Sequence, residues 1–300
     1  MLVMGTVAEI IVKGPGDGNA EKAVDAAFAE MARLETMFSF HDRASELNKI
    51  NDNAFHMPYK VSLELYNVLD RSMQASLVTG GLFDITTGSL SRLYGFNKGH
   101  EKKLPGRDEL KKAMRLVNYK LVKLDPKHRS VRFLKKGIVL DLGGSVKGYA
   151  IDRAVEVLKS MGINSGLVNI GGNMYGFGPG PWKIGVRHPR NKDEIIEVIN
   201  LKDSGVATSG DYERFFIKNS LKVHHIFDPR TGRSATENIG VTVIAKDAFT
   251  ADIFSTGIFI LDREKAKEVI KKENLQAIII SEDGNGDIEI ERVGDGLLTS

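Results

Sequence analysis

Cysteine is absent from the 300 residues of this chain. That absence excludes disulfides, thiolate zinc sites, iron–sulfur clusters and a cysteine nucleophile, so any metal must be held by oxygen or imidazole. Net charge is scarce as well: 42 Lys and Arg against 39 Asp and Glu leave a formal +3, which is no signature of nucleic-acid binding. Basic residues do crowd the stretch from Lys102 to Lys136, and acidic ones (Glu282, Asp283, Asp287, Glu289, Glu291) gather later. Both read as solvated faces. No apolar run approaches the roughly 20 residues needed to span a bilayer. Met1 leads almost directly into a strand-like segment with no signal-peptide pattern, so a cytoplasmic location is expected if this N-terminus is native. No repeat and no low-complexity linker divides the chain.

What the sequence does have is apolar periodicity. Hydrophobic residues make up 42%, enough for a large core in one wide domain or two fused lobes. Residues 4–13 alternate as a strand, and Gly14-Pro15-Gly16-Asp17-Gly18 closes it as a turn. Asn19 then caps an amphipathic helix with Val24, Ala27, Phe28, Met31, Leu34 and Phe38 on one face. Helices are expected over 45–51 and 62–78, opened by Ser45 and Ser62, and Gly80-Gly81 ends the second. A hairpin is expected over 119–134, and a central strand over 137–142 leads into a helix over 145–161. Strands follow at 166–170, 182–187, 195–202, 222–227 and 239–245. Helices at 247–259 and 263–273 and strands at 276–281 and 287–292 finish the chain. This order implies an α+β fold with mixed, largely antiparallel sheets flanked by helices. The expected organisation is a single domain over 1–300, or two interlocked α/β lobes with the site between them.

The most informative segment runs from Val139 to Asp152. An apolar run ends at Asp141, breaks at Gly143-Gly144, and starts a helix with Lys147 in its first turn. Bare glycine backbone approaches a ligand closely, a helix N-terminus attracts anions, and the lysine adds a point charge suited to phosphate. The segment therefore points to a phosphate compound with a metal ion, or to a plain strand–turn–helix junction. It is neither the phosphate-loop pattern nor the three-glycine dinucleotide fingerprint.

Other segments add candidates. Gly81-Leu82-Phe83-Asp84-Ile85-Thr86-Thr87-Gly88 sets an aromatic beside a carboxylate, suited to a planar ring with N–H groups, or else is a helix stop followed by an Asp cap. Asp252 and Thr256 lie four apart on an apolar helix, so a carboxylate and a hydroxyl share one face. Both are hard oxygen donors of the kind magnesium takes, or else they form the wet face of the helix. His224-His225-Ile226-Phe227 precedes the turn sequence Asp228-Pro229-Arg230-Thr231-Gly232, and on a strand only one of the two histidines can face a given site. Ala207-Thr208-Ser209-Gly210-Asp211-Tyr212 offers hydroxyls and a loop glycine, and Gly171-Gly172-Asn173 reads as a bulge or turn.

Taken in order, these pieces resemble one family, the ApbE-type flavin transferases (FAD:protein FMN transferases). The resemblance rests on Met4-Gly5-Thr6, Ser45-Glu46-Leu47-Asn48, Phe83-Asp84-Ile85-Thr86, Asp141 to Gly148, Asn169 to Asn173, Thr208 to Tyr212, His225 to Gly232, and Ala251-Asp252 with Ser255-Thr256. It implies an ApbE-like, T-fold-like architecture and a Mg2+-dependent enzyme that binds FAD. Such an enzyme moves FMN through a phosphoester bond to a Thr or Ser of an acceptor protein, an electron-transfer subunit with a flavinylation motif, and releases AMP.

The resemblance further implies that the Gly144 carbonyl, with Asp252, Ser255 and Thr256, holds the metal. Met4, His41, Leu82, Phe83, Asp84, Asp141, Lys147 and Ile226 would contact FAD, and His225 would help deprotonate the acceptor hydroxyl. His41 stands where many members carry a tyrosine by the flavin end, and some members with a smaller polar residue there hydrolyse FAD instead. A Mg2+-dependent FAD pyrophosphatase giving FMN and AMP, or a non-catalytic flavin-binding protein, are the alternatives. Members are mostly exported to the periplasm or the outer face of the inner membrane, many through a lipid-anchor cysteine that this chain does not contain.

Overall fold

The computed structural model describes residues 1–13, 18–97 and 99–294. The turn expected over 14–18 lies outside them except for Gly18. The chain begins with β1 (Leu2–Val3), β2 (Thr6–Val12), α1 (Asn19–Phe38), α2 (Glu46–Asn53), β3 (Tyr59–Lys60) and α3 (Leu63–Val78). It continues with α4 (Gly88–Tyr94), α5 (Arg107–Met114), β4 (Val122–Asp125), β5 (Ser130–Phe133) and α6 (Val146–Ser160). Next come β6 (Gly166–Ile170), β7 (Asn173–Phe177), β8 (Trp182–Arg187), β9 (Ile195–Leu201), β10 (Ser204–Gly210), β11 (Phe215–Lys218) and β12 (Leu221–His224). The last elements are β13 (Gly240–Ala245), α7 (Ala248–Ile260), α8 (Arg263–Lys272), β14 (Gln276–Glu282) and β15 (Ile288–Val293). The α+β class and the antiparallel pairing expected from the sequence are those observed.

The chain divides into two compact units. The first comprises Met1–Glu35, Ser145–Tyr212 and Glu237–Ser300. Its frame is an eight-stranded sheet in the order β1-β2-β6-β7-β10-β13-β14-β15, antiparallel at every pairing. Helices α6 and α7 pack on it, α6 against β6 and β7, and α7 against β10 and β13. The ribbon β8–β9 packs its Ile184, Val186, Ile199 and Leu201 against Val206, Ile278 and Ile280 of the sheet. Alternation along β10 separates the two sides: Val206 joins the ribbon cluster, while the Ser209 hydroxyl meets side chains of α7. α7 is apolar on every side and buried along nearly its whole length, as befits a helix with no wet face. On α1 the buried stripe is Ala23, Ala27, Met31 and Leu34, with the expected Val24 and Phe28 half-buried beside it.

The second unit comprises Thr36–Gly144 and Glu213–Thr236. It holds the three-stranded sheet β3-β5-β4, the hairpin β11–β12 and helices α2 to α5. Ser45 and Ser62 cap α2 and α3 as the sequence implies, each hydroxyl accepting from the backbone N–H three residues on. One apolar cluster joins Leu90, Tyr94, Phe96, Val117, Val223 and Phe227.

Three segments depart from expectation. The strand expected over 137–142 joins no ladder beyond an isolated parallel bridge from Val139 to Thr87. At Leu140 a side chain meets the backbone instead: its N–H donates to Asn51 Oδ1 at 2.7 Å, and Asn51 Nδ2 donates back to its carbonyl at 3.1 Å, while Asp141 N–H donates to the Ile85 carbonyl at 2.8 Å. The strand expected over 222–227 ends at His224, because Asp228 folds the following chain into a turn. Its carboxylate accepts from Arg230 N–H at 2.7 Å and its carbonyl from Gly232 N–H at 2.8 Å. The segment Ala207–Tyr212, read as offering hydroxyls and a loop glycine, begins with the last four residues of β10 (Ser204–Gly210).

Asn51→Ala strips both partners from the part-buried Leu140 peptide and should lower stability by about 1–3 kcal/mol. Asn53→Ala, on the exposed side of the same helix, should stay within about 0.5 kcal/mol of wild type. Urea unfolding midpoints of the two variants test the difference.

Candidate active site

Helices α6 and α7 exchange carboxylates. Asp152 of α6 accepts from the N–H groups of Ala248 and Phe249 at 2.8 and 2.9 Å, the first turn of α7. Asp252 of α7 accepts from the N–H of Gly148 at 2.9 Å, in the first turn of α6. Each acid thereby satisfies backbone donors that have no partner within their own helix. The crossing is close: a side chain at Gly148 would run into the Ala248 carbonyl, so only glycine fits there.

Asp252 is 2% exposed, and a buried carboxylate requires partners. It has three. Besides Gly148 N–H, Asn173 Nδ2 donates to Oδ1 at 2.8 Å and Lys147 Nζ lies 3.4 Å from the same oxygen. One turn further along α7, Ser255 and Thr256 turn their hydroxyls toward the Asp252 carbonyl at 2.9 and 3.4 Å. Ser209 Oγ of β10 stands 2.9 Å from Ser255 Oγ and 3.3 Å from Thr256 Oγ1. The structure thus brings Lys147 to the Asp252 carboxylate and sets the Ser255 and Thr256 hydroxyls against the Asp252 main-chain carbonyl. It adds Gly148, Asn173 and Ser209, to which sequence reasoning gave no role. Ser209 could have been found by reading 204–210 as an alternating strand next to a buried helix. Gly148 and Asn173 meet Asp252 only through long-range pairing.

Met4 lies in the same unit, in the two-residue turn Met4-Gly5 that joins β1 to β2. Both residues have left-handed φ, 51° and 76°, the pattern of a type I′ hairpin turn. Met4 N–H donates to Glu35 Oε1 at 2.9 Å. The adjoining Thr6 packs directly on Gly171. Gly171-Gly172 is itself a turn, with φ of 60° and 93°, joining β6 to β7 just before Asn173. Two hairpin turns therefore lead toward the amide that touches Asp252.

The remaining candidates belong to the second unit. Leu82, Phe83, Asp84 and Ile226 are all buried. Asp84 Oδ1 accepts from Thr86 N–H and Oγ1–H at 2.8 and 2.6 Å, and its Oδ2 from Tyr119 N–H at 2.8 Å. Burial pushes its carboxyl above the ordinary aspartate range, against the opposing pull of those donors. Asp141 is half-buried; it accepts from Ser91 Oγ–H at 2.8 Å and from Gly143 N–H at 2.9 Å, forming the turn that ends at Gly144. Gly144 is the last residue of this unit, one peptide bond from Ser145, which precedes α6. His41 is exposed, edge-on to Phe40 at 5.6 Å between centroids.

The two histidines take different environments. His224 is buried; its Nε2 lies 2.9 Å from the Ala235 carbonyl, and its Nδ1 accepts from Ile226 N–H at 3.3 Å. That pattern holds a neutral, Nε2-protonated ring. The half-buried His225 has Nδ1 3.2 Å from the Arg214 carbonyl, which also accepts its backbone N–H at 3.1 Å. A carbonyl only accepts, so Nδ1 carries the proton and Nε2 the basic lone pair. Arg214 is in turn tied to the Phe96 carbonyl at 3.1 Å. This bracing was not legible in the sequence, because it comes from a main-chain atom.

Asp84 bears on stability as well as on the site. Its folded pKa is raised, so the contribution it makes when protonated is fully present below about pH 4 and is lost as pH rises through the folded value. The stability difference between wild type and Asp84→Asn, followed by urea unfolding, should therefore narrow as pH rises from about 4 toward 7. A difference that is flat or widens over that range would refute the assignment.

Comparison with known proteins shows the family. The pattern of the ApbE family matches residues 4–279. A FAD:protein FMN transferase of Haemophilus influenzae is 30% identical over 298 residues, covering 94% of this chain and 86% of that protein. The FAD:protein FMN transferase of Escherichia coli K12 is 28% identical over 294 residues, covering 94% and 83%. Among solved structures, the ApbE protein of Thermotoga maritima superimposes with a TM-score of 0.91 at 36% identity, covering 98% of this chain and 95% of that one. The flavin transferase ApbE of Vibrio cholerae gives 0.86 at 25% identity, over 98% and 95%. With its fold and nearly its whole length accounted for in this way, the chain belongs to the ApbE family.

Proposed function

We propose that this protein transfers FMN from FAD to a Ser or Thr hydroxyl of an acceptor protein, with Mg2+ as its metal. The observation that carries the reading is the buried Asp252 carboxylate, held by Gly148, Asn173 and Lys147 on the helix whose Ser255 and Thr256 hydroxyls meet that of Ser209. It stands in a chain whose curated relatives are FAD:protein FMN transferases.

The donor set fits a hard cation. Magnesium takes one or two carboxylates and fills its shell with water and substrate phosphate oxygens. Asn173 Oδ1 is buried and accepts no hydrogen bond, which leaves one more oxygen beside the carboxylate for an ion or its water. Among the described residues no three His, Asp or Glu side chains gather as a metal cluster, so an imidazole-rich ion fits less well. Asp252, Ser255 and Thr256 would hold the ion together with the Gly144 carbonyl, whose rigid peptide plane is shared with the Ser145 nitrogen. When bound, the ion neutralises the diphosphate and the charge that develops on displacement.

The chain's own groups do the rest. Lys147 places an ammonium near Asp252, suited to pairing with a phosphate oxygen. Phe83 and its neighbours would take the flavin ring. His225, with its lone pair on Nε2, accepts the proton of the acceptor hydroxyl. The hydroxyl oxygen then bonds to the FMN phosphorus as the bond from that phosphorus to the AMP oxygen breaks. AMP leaves, and the proton stays on Nε2 until solvent takes it.

Incubation of the protein with FAD, Mg2+ and a flavin-accepting domain of an electron-transfer subunit should add the mass of FMN to one Ser or Thr and release AMP. Steady release of FMN and AMP without the domain would identify water as the acceptor instead. His225→Gln should slow transfer by about 10²–10⁴-fold while FAD binding, read by flavin fluorescence, is unchanged. Asp252→Asn should slow transfer by more than the roughly 10–100-fold seen when a metal ligand loses an outer partner, and should abolish its response to Mg2+ titration. Wild-type rates in Asp252→Asn would remove the metal assignment.

A further inference from the structure

The segment between α3 and α4 carries Leu82, Phe83 and Asp84, and it is tied down along its length. Thr79, at the end of α3, accepts from Leu82 N–H through its carbonyl at 3.3 Å and from Phe83 N–H through Oγ1 at 3.0 Å. The Ile85 carbonyl accepts from Asp141 N–H at 2.8 Å. Asn118 and Tyr119, just ahead of β4, hold the segment from another side. The Tyr119 ring lies against Gly81, where an added Cβ would stand 3.2 Å from it.

Thr86 is the point where these ties converge. It is wholly buried. Its hydroxyl donates to Asp84 Oδ1 at 2.6 Å and accepts from Asn118 N–H at 2.9 Å. Its own N–H donates to the same Oδ1 at 2.8 Å, while Asp84 Oδ2 accepts from Tyr119 N–H at 2.8 Å. A carboxylate offers roughly four acceptor positions. Three donors therefore occupy most of Asp84, which is only 8% exposed. The carboxylate that the sequence offers to ring N–H groups is engaged within its own segment.

What the ties fix is the course of the main chain at Leu82 and Phe83. A segment already set in its binding shape pays no ordering cost when a ligand arrives. Removing the Thr86 hydroxyl leaves Asn118 N–H and Asp84 each short of a partner in a buried place. The Asp141 turn is less dependent on it, because Ser91 and Gly143 hold the Asp141 carboxylate independently.

We infer that Thr86 is a positioning residue for the flavin half of FAD: with the Asp84 carboxylate it sets the Leu82-Phe83 segment that receives the ring, without touching the ring itself. The inference rests on the transfer reading above, which puts the flavin at Phe83.

The test is binding of FMN and of AMP, the two halves of FAD, to the full-length protein with Mg2+, by flavin fluorescence and calorimetry. Thr86→Val keeps the side-chain shape and removes both hydroxyl hydrogen bonds. It should raise the Kd for FMN about tenfold or more and leave that for AMP within about twofold. Thr86→Ser restores the hydroxyl and should return FMN affinity to within about threefold of wild type. Ser62→Ala removes the cap of α3 and lowers stability away from the segment, so it should bind both ligands as wild type does.

Wild-type FMN affinity in Thr86→Val would show that the segment holds without Thr86, and the transfer reading would stand alone. Equal weakening of FMN and AMP, or a loss of FMN affinity as large in Ser62→Ala, would reduce the effect to general stability and overturn the positioning role. Should Thr86→Val not fold, Tyr119→Ala decides, since it lifts the ring from Gly81 and leaves both main-chain donors in place. It should weaken FMN selectively, and wild-type affinity there overturns the role. A wild-type protein that binds neither FAD nor FMN removes the transfer reading and this inference together.

Discussion

The reciprocal exchange of carboxylates between α6 and α7 is the constraint on which the first unit's chemistry depends. A helix begins with backbone N–H groups that nothing inside it can satisfy, and here each helix supplies an acid to the other's opening turn. The exchange requires the two backbones to approach closely, which Gly148 permits. It also places Asp252 where an anion would otherwise be welcome. A buried carboxylate so held stays ordered. The cluster around it inherits that order: Lys147 and Gly148 come from α6, Asn173 from β7, Ser209 from β10, and Ser255 and Thr256 from α7 itself.

The large sheet fixes these contributors relative to one another. β6 and β7 turn at Gly171-Gly172 and deliver Asn173, while β10 delivers Ser209 by simple alternation. On the opposite side the ribbon β8–β9 buries the other set of strand side chains. One face of the sheet therefore supplies apolar packing and the other supplies polar groups to α7. The division of labour is between structural layers, with no flexible loop needed to hold the hydroxyls in place.

Much of this was legible in the sequence, and the exceptions have physical reasons. Ser45 and Ser62 announce their helices through capping, and the predominance of apolar residues from Phe249 to Ile260 announces a buried helix on which Asp252 and Thr256 stand out. α4 and β10 were harder to see because they are rich in Gly, Ser and Thr, residues of weak propensity whose placement is settled by packing. Gly88, which opens α4, lies so close to the Val139 carbonyl that a side chain would collide with it. The stretch 137–142 misled for a different reason. Its apolar pattern resembles a strand's, yet its peptide at Leu140 is matched by the amide of Asn51, 89 residues away in sequence. Periodicity reports which side chains are buried but is silent on what meets the backbone.

The main-chain anchor of His225 has one more consequence. Because the Arg214 carbonyl takes the hydrogen on Nδ1, the ring can gain a second hydrogen at Nε2 and lose it again without breaking that contact. Its neighbour His224 has no such latitude, since a hydrogen on Nδ1 would face the amide of Ile226. Of two adjacent imidazoles, one can therefore cycle between neutral and cationic forms with its ring held still, and the other is locked as a structural pin.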